Sequence, residues 1–161
     1  MKTDRDEGFL FQQKMLIKKP LAEVFSFFSN AENLQVITPP NLQFRILTPT
    51  PIEMKSGALI DYRIRLFGVP FHWKTEIMEW QPPVKFVDNQ ISGPYRQWIH
   101  THSFEETKDG VIMTDLVHYK LYGWFLKNII NRYFVAPQIR KIFEFRREKL
   151  HHILNIKESS I

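Results

Sequence analysis

Residues 96–104 read RQWIHTHSF, and their strict alternation decides the fold. Successive side chains of a strand point to opposite faces, so Arg96, Trp98, His100, His102 and Phe104 share one side and Gln97, Ile99, Thr101 and Ser103 the other. One face therefore combines aromatic rings, two imidazoles and a guanidinium. Apolar walls that bind and a few polar groups that orient are the makings of a small-molecule pocket, so the segment predicts a strand lining a ligand cavity.

Working outward, Ser92-Gly93-Pro94 precedes this strand and Asp109-Gly110 follows it. Ser56-Gly57, Gly68-Val69-Pro70 and Gln81-Pro82-Pro83 add turns at similar intervals, which divide 43–121 into about six antiparallel strands in succession. Apolarity selects their inward faces: Ile60, Tyr62, Ile64 and Leu66; then Phe71, Trp73, Thr75 and Ile77; then Val111, Met113, Asp115, Val117 and Tyr119. Before them, Phe9 to Lys18 reads as a first strand that stops at Lys19-Pro20. A helix follows, with Leu21, Val24, Phe25 and Phe28 along one stripe, and then a short helix over 31–37, capped by Asn30 and ended by Pro39-Pro40. From Gly123 to about Asn155 the spacing is helical again, kinked or divided at Pro137, with Ile139, Phe143, Leu150 and Ile153 as its apolar stripe and Arg146 upon it. The expectation is an α+β fold: a curved antiparallel sheet of about seven strands wrapped on a long C-terminal helix, with two short helices after the first strand.

The 161 residues, 43% hydrophobic, suit a single domain over 1–161 with a core of about 9–154. With no cysteine, disulfides, zinc–thiolate sites and thiol nucleophiles are excluded. The opening MKTDRDEGFLF carries no long apolar stretch, and no apolar run approaches the ~20 residues of a membrane span, so the expected location is cytoplasmic. The net charge of +5 is uneven: Lys120 to Lys157 holds nine basic residues against Glu144 and Glu148. Arg140, Lys141, Arg147 and Lys149 fit a solvated helix face first, and contact with an anionic membrane or partner second. No zinc-finger spacing, RNP-like segment or glycine-rich phosphate loop accompanies the charge, which argues against a nucleic-acid partner. The oligomeric state is left open.

The element order resembles the helix-grip fold of the START-like, or SRPBCC, superfamily, which includes pollen-allergen-like proteins, polyketide cyclases and lipid carriers. Pro20-Leu-Ala-Glu-Val-Phe, Ala31-Glu-Asn-Leu, Phe86-Val-Asp-Asn-Gln, Gly93-Pro94, residues 98–104, Asp115 and Tyr119 are similar to a bacterial branch of ligand-binding or polyketide cyclase/dehydrase-like proteins. The resemblance implies a cavity between the sheet and the long helix, and a hydrophobic small molecule, lipid, quinone or polyketide-like, as its occupant.

Several polar residues interrupt the apolar faces. The His100-x-His102 pair could supply two ligands to one metal, with Asp88 or Asp115 as a third, but hydrogen-bonded pocket residues are the commoner use of such a pair, and neither metal nor cofactor is expected. Asp115 and Arg146 each break an apolar stripe, and buried charge is costly unless paired. Arg146 should therefore reach a carboxylate or a histidine–carboxylate group as a structural network; the sharper alternative leaves it free to hold a ligand's carboxylate, phosphate or enolate. The ligand-binding candidates are Tyr62, Trp73, Asp88, Trp98, His100, His102, Phe104, Asp115, Tyr119, Phe143 and Arg146. The leading function is binding of a hydrophobic molecule with a polar or anionic end. The alternatives are an aromatase/cyclase or dehydratase-type enzyme using His100 or His102 with Arg146, and a structural or membrane-docking domain with a closed core.

Overall fold

The computed structural model describes residues 8–123 and 125–154. Strand β1 (Phe9–Ile17) leads into helices α1 (Leu21–Phe28) and α2 (Ala31–Val36), then a single 3-10 turn (Pro40–Leu42). Six further strands follow: β2 (Arg45–Ile46), β3 (Leu59–Leu66), β4 (Val69–Gln81), β5 (Lys85–Ser92), β6 (Gln97–Thr107) and β7 (Gly110–Lys120). Helix α3 (Lys127–Ile130), one π turn (Asn131–Val135) and α4 (Ala136–Ile153) complete the order. The π turn lies just before Pro137, where the missing N–H removes a helical hydrogen bond, so the division expected at this proline takes that form.

The seven strands form one antiparallel sheet in the order β1-β7-β6-β5-β4-β3-β2. Consecutive strands from β2 to β7 pair as neighbours, and β1 returns to the far edge beside β7, from Phe9 opposite Tyr119 to Ile17 opposite Val111. At the β6–β7 turn Gly110 has φ of 133°, and a Cβ there would lie 2.4 Å from the Ile17 carbonyl oxygen, so glycine is required both by the turn and by β1 alongside. Register shifts in the β4–β5 pairing leave Ile91 and Met78 without partners, both exposed. Extra residues of this kind bend a strand, and here they curl the centre of the sheet around α4.

Helix α4 buries Ile139, Phe143, Arg146 and Leu150, a stripe with spacings of four, three and four. Its continuation differs from the expected one. Ile153 is 39% exposed, and Leu154, 6% exposed, closes the stripe instead, its N–H bonding to the Leu150 carbonyl. A 3.6-residue period carries the buried line from 150 to 154 rather than to 153. Leu150→Ala should accordingly lower the unfolding free energy by about 2–5 kcal/mol in urea titrations, whereas Ile153→Ala should cost about 0.5 kcal/mol or less.

The interior is in two apolar parts. Met15, Ile17, Phe25, Phe104, Met113 and Leu150 belong to one, under α1. Leu42, Trp73, Tyr95, Val117, Ile139 and Phe143 belong to the other, under the first turns of α4. On β7, Asp115 falls between Met113 of the first and Val117 of the second, so a polar cluster sits at their boundary.

Candidate functional site

Strand register builds that cluster. Asp88 on β5 lies opposite His100 on β6, and His102 on β6 lies opposite Asp115 on β7. All four side chains point to the concave face, where direct and diagonal neighbours come within reach. His100 Nε2 is 2.8 Å from Asp115 Oδ1, and His102 Nε2 is 3.2 Å from Asp88 Oδ2. His102 Nδ1 also lies 3.0 Å from Asp115 Oδ1, but off the hydrogen-bond axis, so it is near without being bonded. His100 Nδ1 lies 3.7 Å from Asp88 Oδ2. The two imidazoles are 3.8 Å apart between centroids, His102 stacked on Phe86 and His100 against the edge of Phe143.

These groups share protons unequally. Burial lowers the His100 pKa, and the neighbouring charge of His102 lowers it further, outweighing the hydrogen bond to Asp115. Burial would lower His102 as well, but the close Asp115 carboxylate, the hydrogen bond to Asp88 and the charges of both carboxylates raise it. For Asp115, burial alone would raise the pKa; the hydrogen bond with His100 and the close approach of His102 reverse this and hold it below the usual carboxylate range. The two imidazoles are thus driven apart, His100 toward its neutral form and His102 toward its protonated form. The Tyr62 phenol, bonded to the Thr75 hydroxyl at 3.1 Å, is raised by burial and by the charge of Asp88, and stays neutral.

Above the cluster a cavity of about 150 Å³ opens between the sheet and α4. Asp88, His100 and His102 form its polar side, Tyr62, Trp73 and Trp98 part of its aromatic wall, and Phe143 and Arg146 come from α4. Three of the expected site residues lie elsewhere. Phe104 packs beneath α1 against Phe25 and Phe28, further along β6 than the cavity reaches. Asp115 is covered by the two imidazoles and orients them from behind. Tyr119 packs on Phe9 and gives its hydroxyl proton to Asn131 Oδ1 at 2.8 Å. All three face inward as their strand period requires, but alternation specifies neither position along a strand, which removes Phe104, nor which strands line the cavity, and β7 with Asp115 and Tyr119 does not.

Arg146 departs most from expectation. It is 7% exposed, yet among the described residues no carboxylate lies within 4.0 Å of it and its Nε has no hydrogen-bond partner. The carboxylates expected to pair with it are held by the histidines instead. Its guanidinium rests over the Phe143 ring, whose centroid lies 4.7 Å from the guanidinium carbon. Trp73 Nε1 is likewise buried without a partner. Among the described residues only three buried side-chain polar atoms lack a partner, on Trp73, His102 and Arg146, and all three residues line this cavity.

Sequence reasoning missed the wall formed by Phe27, Leu34, Ile37, Leu42 and Phe44, with Tyr95 beside Trp98. Leu34 and Ile37, three apart at the end of a six-residue helix, were a readable signal for a covering face. Asp88, His100 and His102 also offer donor atoms that all lie within 4.8 Å of one another, close enough for one metal ion.

A curved antiparallel sheet gripping a C-terminal helix over a cavity is the helix-grip architecture. The sequence profile of the family described as polyketide cyclase / dehydrase and lipid transport matches residues 17–149, and the chain belongs to that family. No match was found among curated proteins. The fold is similar to that of TTHA0849 from Thermus thermophilus, with a TM-score of 0.72 at 13% identity over 91% of this chain and 97% of that one. It is also similar to Ms6760 from Mycobacterium smegmatis (TM-score 0.65, 12% identity, 91% and 90% covered). Ginseng major latex-like protein 151 from Panax ginseng gives a TM-score of 0.65 at 14% identity, with 91% and 97% covered. At such identities these likenesses concern the fold alone.

Proposed function

We propose that this protein binds a hydrophobic small molecule through an anionic, acceptor-rich end, with Arg146 as the anchor. The observation that carries the reading is a buried guanidinium with no counter-ion on the wall of an apolar cavity. Buried polar groups are normally satisfied, and an unpaired buried charge costs several kcal/mol unless a ligand completes it. Arg146 Nε and Trp73 Nε1 are obligate donors, so the missing partner is an acceptor, and the cation favours a carboxylate or enolate. The family description, with its lipid transport and cyclase members, agrees with a hydrophobic occupant in general terms.

Size narrows the class. A cavity of about 150 Å³ matches a single aromatic ring, the scale at which an apolar void of ~150 Å³ takes up benzene. A longer lipid or a multi-ring polyketide requires the α2 side of the cavity to move outward. Calorimetric titration with benzoate and its para-alkyl derivatives should show affinity rising with the first few added carbons and then falling. The corresponding neutral alkylbenzenes should bind at least about tenfold more weakly. Equal affinity for the neutral and charged series would overturn the anionic assignment.

A proton-transfer enzyme of the aromatase/cyclase or dehydratase type is the alternative reading of the same residues. Binding is preferred because the unpartnered donors of Arg146 and Trp73 call for a bound acceptor and require no proton transfer by His100 or His102. A closed core, the remaining alternative, predicts no such cavity.

Membrane contact, the second reading of the basic face of the C-terminal helix after a solvated face, draws support from the segment before it. Tyr122, Phe125, Leu126, Ile129, Tyr133 and Phe134 are all exposed, Phe125 to 86%, with Lys127 and Arg132 among them. Apolar tips interleaved with cations suit the surface of an anionic bilayer. Among the described residues no helix is long and apolar enough to cross a membrane. Vesicle flotation should show salt-sensitive binding to phosphatidylglycerol-containing but not pure phosphatidylcholine vesicles, lost in a Phe125→Ser, Phe134→Ser variant. Vesicle binding unchanged in that variant, or independent of lipid charge, would rule this surface out as a membrane contact.

A further inference from the structure

Asp88, His100 and His102 converge in a way that hydrogen bonding alone does not complete. Each imidazole turns one nitrogen toward the same buried oxygen, Asp115 Oδ1: His100 Nε2 at 2.8 Å and His102 Nδ1 at 3.0 Å. Their other nitrogens, His100 Nδ1 and His102 Nε2, face Asp88 Oδ2 at 3.7 and 3.2 Å. With His100 Nε2 bonded to Asp115, His100 Nδ1, His102 Nε2 and Asp88 Oδ2 are left facing one another as potential metal donors. A proton on one ring relieves only one of those contacts, whereas a metal ion relieves all of them.

We propose that Asp88, His100 and His102 bind one divalent first-row transition metal ion, zinc or ferrous iron in chemistry, with Asp115 as the outer carboxylate that holds both imidazoles in place. Donors at about 2.0–2.2 Å from such an ion stand about 3.0–3.5 Å from one another, and here Asp88 Oδ2 lies 3.2 and 3.7 Å from the two imidazole nitrogens, with all three donor atoms within 4.8 Å. Two imidazoles and one carboxylate with open positions suit zinc or non-haem iron(II) rather than magnesium or calcium. A carboxylate behind ligating histidines is the recurrent outer-shell arrangement, and Asp115, 2% exposed, serves both rings at once. The three donors lie on the cavity wall, so the remaining coordination positions face the cavity. The charges also balance, because two carboxylates with neutral imidazoles neutralise a dication. The site goes beyond the ligand reading above and does not depend on it.

The test uses the metal alone. Chelator-treated protein is titrated with Zn²⁺ by calorimetry and with Co²⁺ by visible absorption, without organic ligand. One ion per chain at micromolar or tighter affinity is expected, with cobalt bands characteristic of nitrogen and oxygen donors. Asp88→Asn, at the most accessible of the three ligands, should weaken binding about tenfold or more, and Asp115→Asn about ten- to a hundredfold. His102→Gln should abolish it, and circular dichroism verifies that each variant is folded. The neighbouring pair His151 and His152 on α4 is the competing surface site, so a His151→Ala, His152→Ala variant should keep full affinity. Absence of binding at millimolar metal, binding lost only in that surface variant, or undiminished binding in folded Asp88→Asn would each overturn the proposal.

Discussion

Arg146→Met should leave the protein as stable as the wild type, or more stable by up to about 3 kcal/mol, while lowering its affinity for an aromatic carboxylate at least a hundredfold. The guanidinium is almost fully buried and, among the described residues, no carboxylate lies within 4.0 Å, so its desolvation is not repaid by an ion pair. Replacing buried ionic groups by apolar side chains of similar volume is often neutral or stabilising, by about 1–4 kcal/mol. The substitution gives up the cation–π interaction with the Phe143 ring, worth about 0.5–2 kcal/mol, which offsets part of the gain. Methionine reaches the same space without the charge. The affinity loss follows because a charge-assisted hydrogen bond in a dry pocket contributes about 2–5 kcal/mol, and each 1.4 kcal/mol is about tenfold. Urea denaturation and calorimetry together decide the matter. A fall in stability of about 3 kcal/mol with ligand affinity intact would make Arg146 a structural residue.

Asp115→Ala should have the opposite signature, with stability lower by about 3–5 kcal/mol and an interior that no longer orders the two histidines. Asp115 is 2% exposed and its Oδ1 lies within 3.0 Å of a nitrogen of each imidazole, so its loss leaves His100 Nε2 buried without its hydrogen-bond partner and removes a carboxylate from beside His102. Its pKa is depressed in the folded state, so its contribution is complete above the ordinary carboxylate pKa of about 3.9 and is lost as the pH falls below that. His100, also depressed, contributes stability above its ordinary value of about 6.5 and loses it below. His102, raised, contributes below about 6.5 and loses it as the pH climbs through its folded value. Around the ordinary histidine pKa of about 6.5 the two rings oppose each other, and below about pH 4 the carboxylate dominates. The urea midpoint of metal-free wild-type protein should therefore drop steeply below about pH 4, and that of Asp115→Asn should drop less. Equal acid sensitivity in the two proteins would show that Asp115 carries no such linkage.

Much of the fold was legible because its signals are local. Gly68, Pro82-Pro83 and Asp109 each fall between two strands of the sheet, although Val69 and Pro70, expected in the turn, already pair in β4; Ser56-Gly57 lies between β2 and β3, and Asn30 caps α2 through a 3.0 Å bond to the Glu32 N–H. His100 and His102 could be placed on one face with Trp98 from alternation alone. Pairing could not be read in the same way. Which carboxylate meets which imidazole depends on the β5–β6 and β6–β7 registers, and these hand Asp88 and Asp115 to the histidines, leaving Arg146 without a carboxylate. Placement was equally hidden: Phe104 alternates inward correctly but lies further along β6 than the cavity reaches, and Tyr119, opposite Trp98, sits on β7, which does not line it. The α2 wall was missed although the three-residue spacing of Leu34 and Ile37 signalled it, because a six-residue helix shows that period only once.

The unpartnered donors on the cavity wall await a ligand acceptor, and nitrogen-15 NMR of the labelled protein tests this most directly. The Arg146 Nε–H and Trp73 Nε1–H signals are followed during titration with para-alkylbenzoates. Both signals should move downfield together and saturate with one dissociation constant, as two donors gain hydrogen-bond partners at one site. If neither moves at millimolar concentration of any member of the series, Arg146 holds no such ligand and the anionic-ligand account is wrong.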